Sequence, residues 1–125
     1  RWKHPARNWP NGASSAERSM AIVILPDAQA DLLDLQAYML ERWTPELWLA
    51  AEEDIFAQLA QVDSGFINGP VIPLLASVGM MDYRTILSSN HRILYRQIDG
   101  NTYVYAVAGQ AQDFQTLLLR RLFRR

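Results

Sequence analysis

The order of the elements constrains this chain more than its composition does. From Met20 onward it lays out one short apolar strand, Ala21-Ile22-Val23-Ile24-Leu25, then two helical stretches, then three strands in succession between Tyr83 and Ala108. A lone strand with a helical hairpin leaves a sheet face uncovered, so the late meander must supply the rest of the sheet. Residues 20–125 therefore read as one α+β domain, β-α-α-β-β-β with a short C-terminal helix. Its antiparallel-rich sheet packs on the helical hairpin. A chain of 125 residues has room for one such core.

Local signals place the elements. The first strand is apolar throughout, as a strand buried on both faces would be. Pro26 stops it, and Asp27 is the expected N-cap of the first helix. Leu32, Leu33, Leu35, Tyr38 and Met39 recur at helical spacing, with Asp31 and Asp34 toward solvent. Trp43-Thr44-Pro45-Glu46 is a break and a restart, with Thr44 as cap and Pro45 at the first helical position. The second helix runs to about Val62, with Leu47, Trp48, Ala51, Ile55, Phe56 and Leu59 on its apolar side. A glycine- and proline-punctuated connection follows, with a short strand expected at Val71-Ile72. Ser88-Ser89-Asn90 and Asp99-Gly100-Asn101 are hairpin turns joining strands 82–87, 91–98 and 102–108. A last helix spans 111–124.

Residues 1–19 stand apart. They carry Trp2, Trp9, two prolines and an Asn-Gly pair without helical or strand period. They read as an irregular extension upstream of Met20, which is placed as an initiator would be. Trp2 and Trp9 are expected to dock on an apolar groove of this chain or a neighbour.

Charge and composition limit the chemistry. The chain has no cysteine, which removes disulfides, thiolate metal sites and thiol catalysis, and it has no apolar run long enough to span a bilayer. Net charge is −1, but it is segregated. Residues 27–63 carry nine carboxylates against Arg42 alone, whereas residues 82–125 carry three against seven arginines. The segregation suits orientation toward a charged partner, and arginine suits forked contacts to carboxylate or phosphate. The carboxylates of the first two helices lack a nearby histidine and read as a solvated face rather than a metal site. No cofactor motif is present. The glycine-rich stretch from Gly65 to Gly79 lacks the Lys-Ser/Thr ending of a phosphate loop.

Several stretches, in this order, resemble the ParE/RelE toxin superfamily of bacterial type II toxin–antitoxin systems. They are Ile22-Val23-Ile24-Leu25-Pro26-Asp27-Ala28 with Ala30-Asp31-Leu32; Tyr38 and Trp43 before a capped helix; Tyr83-Arg84; His91-Arg92-Ile93-Leu94-Tyr95-Arg96; and Val104 to Val107 with Asp113. The resemblance implies a cytoplasmic toxin that binds a cognate antitoxin, as a hetero-oligomer or a homodimer, in a plasmid-stabilisation type of module. One branch inhibits DNA gyrase. The other cleaves messenger RNA on the ribosome, which requires a base, an acid and positive charge at the phosphorane-like transition state.

Against the nuclease branch, no Lys follows Met20; Gly109-Gln110-Ala111-Gln112 stands where the nucleases carry cations, and Phe114 stands where a late Tyr is usual. The gyrase-binding branch, with no catalytic residue, no metal and no cofactor, is therefore the favoured expectation. Its antitoxin- or target-binding residues would be Arg84, Arg92, Arg96, Arg120, Arg121 and Arg124. A ribonuclease would instead draw on Arg84, Arg92, Arg96, His91 and Tyr95. A degenerate member that only binds antitoxin is the third reading. Arg92 and Arg96 share one strand face, and Arg84 could join them there if the register allowed.

Overall fold

The computed structural model describes residues 21–109 and 112–123. The extension 1–19, with Trp2 and Trp9, and the terminal arginines Arg124 and Arg125 lie outside the described residues. In chain order the elements are β1 (Ile22–Ile24), α1 (Pro26–Arg42), α2 (Pro45–Asp63), a single turn α3 (Pro73–Ala76), β2 (Tyr83–Leu87), β3 (His91–Ile98), β4 (Asn101–Gly109) and α4 (Phe114–Phe123). The sheet order is β1-β4-β3-β2, with β1 parallel to β4 and the other pairs antiparallel. The expected α+β layout is present.

Two layers cover the sheet. On one face α1 and α2 bury Ala28, Leu32, Trp48, Ile55 and Leu59 against Ile86, Ile93, Tyr95, Val104 and Val107. On the other face α3 and α4 contribute Leu75 and Leu118 to a smaller cluster with Ile72, Tyr83, Leu94 and Ala106. Asp99 and Gly100 both have positive φ, 54° and 83°, and Ile98 pairs with Asn101. These angles fit the two-residue hairpin whose backbone twist matches the flanking strands.

Caps and boundaries differ in places from the sequence reading. Thr44 caps α2 as expected, its Oγ1 accepting from the Leu47 N–H at 3.2 Å, with Pro45 at the first position. Asp27 does not cap α1. Pro26 already occupies the first turn, Leu25 is the N-cap, and Asp27 lies inside the helix start. Val71 makes a single bridge to Arg84 rather than a strand, because Pro73 begins α3 two residues later. β1 is half-buried rather than covered on both faces, being a three-residue edge strand. Leu33, Tyr38 and Leu47 are 39%, 48% and 50% exposed, so the apolar stripe of the hairpin is wider than the face it buries. The C-terminal helix starts later than expected, at Phe114. Its cap is Asp113, which accepts from the Thr116 N–H at 3.2 Å and the Thr116 hydroxyl at 2.6 Å. Those two hydrogen bonds hold the Asp113 carboxyl below its ordinary pKa.

One irregularity governs the rest. Tyr95 pairs with Val104 and Leu94 with Ala106, which leaves Tyr105 unmatched as a β-bulge. Tyr105 and Ala106 consequently both face α4, while Val104 and Val107 face the hairpin. β1 accompanies β4 only from Thr102 to Val104 before Pro26 turns the chain into α1. Beyond Val104 the outer edge of β4 has no neighbouring strand, and side chains take its polar groups instead. Arg121 Nη1 donates to Tyr105 O at 2.8 Å, the Val107 N–H donates to Asp31 Oδ2 at 3.0 Å, and the Gly109 N–H donates to Gln112 Oε1 at 2.7 Å. A short or covered edge of this kind resists pairing with other chains.

Candidate partner-binding surface

The register separates the arginines that the sequence grouped. Arg84 pairs across the strands with Tyr95, so it lies on the hairpin side of the sheet, opposite to Arg92 and Arg96. There its Nη1 donates to Gly69 O at 2.7 Å. The β2–β3 register therefore does not bring Arg84 to the other two.

Arg92 and Arg96 share the face that α4 covers. Among the described residues neither has a carboxylate within ion-pair distance. Each stacks on aromatic rings instead. The Arg92 guanidinium lies 5.0 Å from the Phe114 ring centre, and that of Arg96 lies 4.9 Å from Tyr83 and 5.5 Å from Tyr105. The Tyr83 and Tyr105 rings meet edge to face at 5.2 Å. Burial pushes the Tyr83 hydroxyl above its ordinary pKa, and the neighbouring Tyr105 adds to that. Arg96 Nε is buried without a hydrogen-bond partner. This edge holds its charge by stacking, which leaves the planar fork unsatisfied by any protein carboxylate.

Arg121 behaves differently. Its Nη1 and Nη2 donate to the two oxygens of Asp31 at 2.9 and 3.0 Å, and its Nε lies 3.7 Å from Asp27. With the Tyr105 carbonyl as a further acceptor, it clamps α4 to α1 and to β4. Asp31, expected toward solvent, has a side chain only 14% exposed and takes three hydrogen bonds. The bond to Asp31 raises the Arg121 pKa, so the guanidinium stays charged. Arg120, one residue earlier, is exposed.

The remaining ribonuclease candidates are inside the protein. Tyr95 is fully buried; its oxygen accepts from the Gly69 N–H at 2.7 Å and its hydroxyl donates to Asn68 Oδ1 at 2.9 Å. Burial raises its pKa, against the Gly69 bond and Arg84, which lower it. His91 is 4% exposed with Nδ1 unpartnered, and burial lowers its pKa while Asp54 opposes the shift. Both side chains face the hairpin side, away from Arg92 and Arg96. Among the described residues no group of His, Asp or Glu is arranged to hold a metal ion, and no helix is long and apolar enough to cross a membrane.

Sequence reasoning missed Asp31, Asp63 and Gly69. Asp63 is 2% exposed and accepts from the Thr102 hydroxyl at 3.2 Å. Gly69 sits so close to β2 that a Cβ there would lie 1.8 Å from Thr85 O. Nothing local in the sequence marks either contact, since both partners are distant in the chain.

Residues 22–114 match the model of the ParE toxin of type II toxin–antitoxin systems, parDE. Among solved structures, the chain is similar to one described as the chromosomal ParDE toxin–antitoxin system from P. aeruginosa. The TM-score is 0.56 at 18% identity, over 72% of this chain and 95% of that one. That likeness shows a shared fold. No curated protein matches the chain by sequence. The family match spans most of the domain, and the chain belongs to the ParE toxin family.

Proposed function

We propose that this ParE-family chain is the toxin of a bacterial type II pair, held inactive in the cytoplasm by an antitoxin encoded beside it. When released, it acts by binding DNA gyrase and not by cutting nucleic acid. Family membership supports the module. One observation carries the choice of mechanism: the ionisable groups that a ribonuclease would need are divided between the two faces of the sheet. Arg92 and Arg96 lie on the α4 side, whereas His91 and Tyr95 are buried on the hairpin side, where Arg84 is held by the Gly69 carbonyl. Internal attack by a 2′-hydroxyl needs base, acid and cation within hydrogen-bond reach of one phosphate. Arg96 stands beside the Tyr83 and Tyr105 rings, where burial of Tyr83 makes its proton harder to remove, and Arg84 neighbours Tyr95, which is fully buried.

The working surface is then Arg92 and Arg96, stacked and, among the described residues, without an ion-paired carboxylate, together with the exposed Arg120 of α4. Arg84 and Arg121 serve the fold. Arg124 lies outside the described residues. Purified protein is expected to block gyrase supercoiling of a relaxed plasmid, and Arg92→Glu with Arg96→Glu to relieve the block. Cleavage of messenger RNA on programmed ribosomes, with supercoiling untouched, would refute the reading.

A further inference from the structure

A groove of about 350 Å³ runs between α1 and the strandless outer edge of β4. Leu35, Tyr38 and Val107 wall it, and Asp31 and Asp34 stand at its rim. Asp31, Asp34, Leu35 and Tyr38 recur along α1 at helical spacing, so one helix face forms a side of the groove. The charge there is out of balance. Asp31 is neutralised by Arg121, which also lies 3.7 Å from Asp27. Asp34 is exposed and, among the described residues, has no cation within ion-pair distance.

We infer that this groove seats a lysine or arginine side chain from the tail of the antitoxin. The inference rests on the reading that an antitoxin binds this chain, and it assigns the chemistry of one contact. The aliphatic stem of such a residue would lie against Leu35, Tyr38 and Val107, and its cationic head would reach Asp34. The surface is complementary to that occupant in two ways. Its walls are apolar where a stem packs, and its rim carries a carboxylate left unpaired where a head group ends. It is also narrow. Asp31 and Gln112 already take the Val107 and Gly109 N–H groups, so the edge of β4 is closed to a full added strand and open to a side chain.

The test uses the wild-type toxin and the antitoxin co-expressed from the adjacent gene, with affinity measured by titration at two salt concentrations. Asp34→Lys is expected to weaken binding tenfold or more, and Asp34→Asn less. Neither should move the melting temperature, because Asp34 is exposed and makes no ion pair among the described residues. Reversing one lysine or arginine of the antitoxin tail to Glu is expected to restore affinity for the Asp34→Lys toxin. If the wild-type toxin binds no antitoxin, the proposed function fails. If it binds, and Asp34→Lys leaves affinity within twofold, the groove assignment is overturned. It is equally overturned if no reversal restores affinity, or if the variant instead dissociates a homodimer of free toxin.

Discussion

Replacing Arg121 tests whether α4 is fastened by one buried ion pair or by its apolar face alone. Arg121→Ala deletes two hydrogen bonds to Asp31 and one to the Tyr105 carbonyl. The Arg121 and Asp31 side chains are 13% and 14% exposed, so solvent screens the pair little. Breaking a fully buried pair costs about 3–5 kcal/mol, because the surviving charge is stranded. Here Asp31 retains the Val107 N–H and some access to water, which places the expected loss at the lower end, about 3 kcal/mol. For a domain near 100 residues that lowers the melting temperature by roughly 12–20 °C. Thermal unfolding followed by far-ultraviolet circular dichroism reads the shift. A double-mutant cycle with Asp31→Asn isolates the pair, with an expected coupling of about 1.5–3 kcal/mol. The exposed Arg120→Ala serves as control and should stay within about 0.5 kcal/mol of wild type. A melting temperature unchanged in Arg121→Ala, or single variants that add with coupling below about 0.5 kcal/mol, would show that α4 does not depend on the clamp.

Three further outcomes are expected. Tyr95→Phe strands the buried Gly69 N–H, while the exposed Asn68 can turn to water, and should cost about 1–3 kcal/mol in urea unfolding with an unchanged m-value. Gly69→Ala should destabilise by at least as much, since its Cβ would meet the backbone oxygen of Thr85 at 1.8 Å, which neither chain segment can relieve by a rotamer change; a soluble variant with wild-type melting would contradict the packing. His91 titrates lower in the folded protein than in the unfolded chain, because burial disfavours the imidazolium. The unfolded state therefore binds the extra proton first. The contribution of His91 to stability is complete above its ordinary value near 6.5 and is lost as pH falls from there toward the lowered folded value. His91→Gln should flatten the stability profile over that acid range, and an unaltered slope would remove His91 as its source.

The element order was legible because each element carries its own signal. Thr44-Pro45 opens a helix by capping, Asp99-Gly100 closes a hairpin by its backbone angles, and the β-branched and aromatic runs of the meander are set off by turns. The site was less legible because it depends on register and on contacts between distant residues. Arg84, Arg92 and Arg96 look equivalent in a list of strand arginines. Only the pairing of Arg84 with Tyr95 puts it on the other face. Asp31 and Arg121 lie 90 positions apart, and each has a satisfactory local reading, as a solvent-facing helix carboxylate or a counter-charge at a helix end. Local readings of charged residues default to solvent, so a buried pair stays hidden from them.

The bulge at Tyr105 ties these misreadings together. A regular β4 would alternate through Tyr105 and put it on the face opposite Ala106. Inserting one residue turns both toward α4, which brings Tyr105 beside Tyr83 and under the Arg96 guanidinium. The same insertion shifts which backbone groups point outward beyond Val104. It is what presents the Tyr105 carbonyl to Arg121 and the Val107 N–H to Asp31. One irregular residue thus brings Tyr105 into the stacked-arginine face and anchors the helix that borders it, beside the groove that Pro26 leaves without a strand. The two proposed surfaces are consequently linked through the backbone of β4. A partner engaging Asp34 and a target engaging Arg96 would act on opposite sides of one bulge, joined through Asp31, Arg121 and Tyr105. Antitoxin bound in the groove could then alter the arginine face without covering it, provided it displaces Asp31. Amide exchange at Val107, slow while Asp31 holds its N–H, is the observable for that coupling. Unchanged protection there on antitoxin binding would leave neutralisation to steric cover alone.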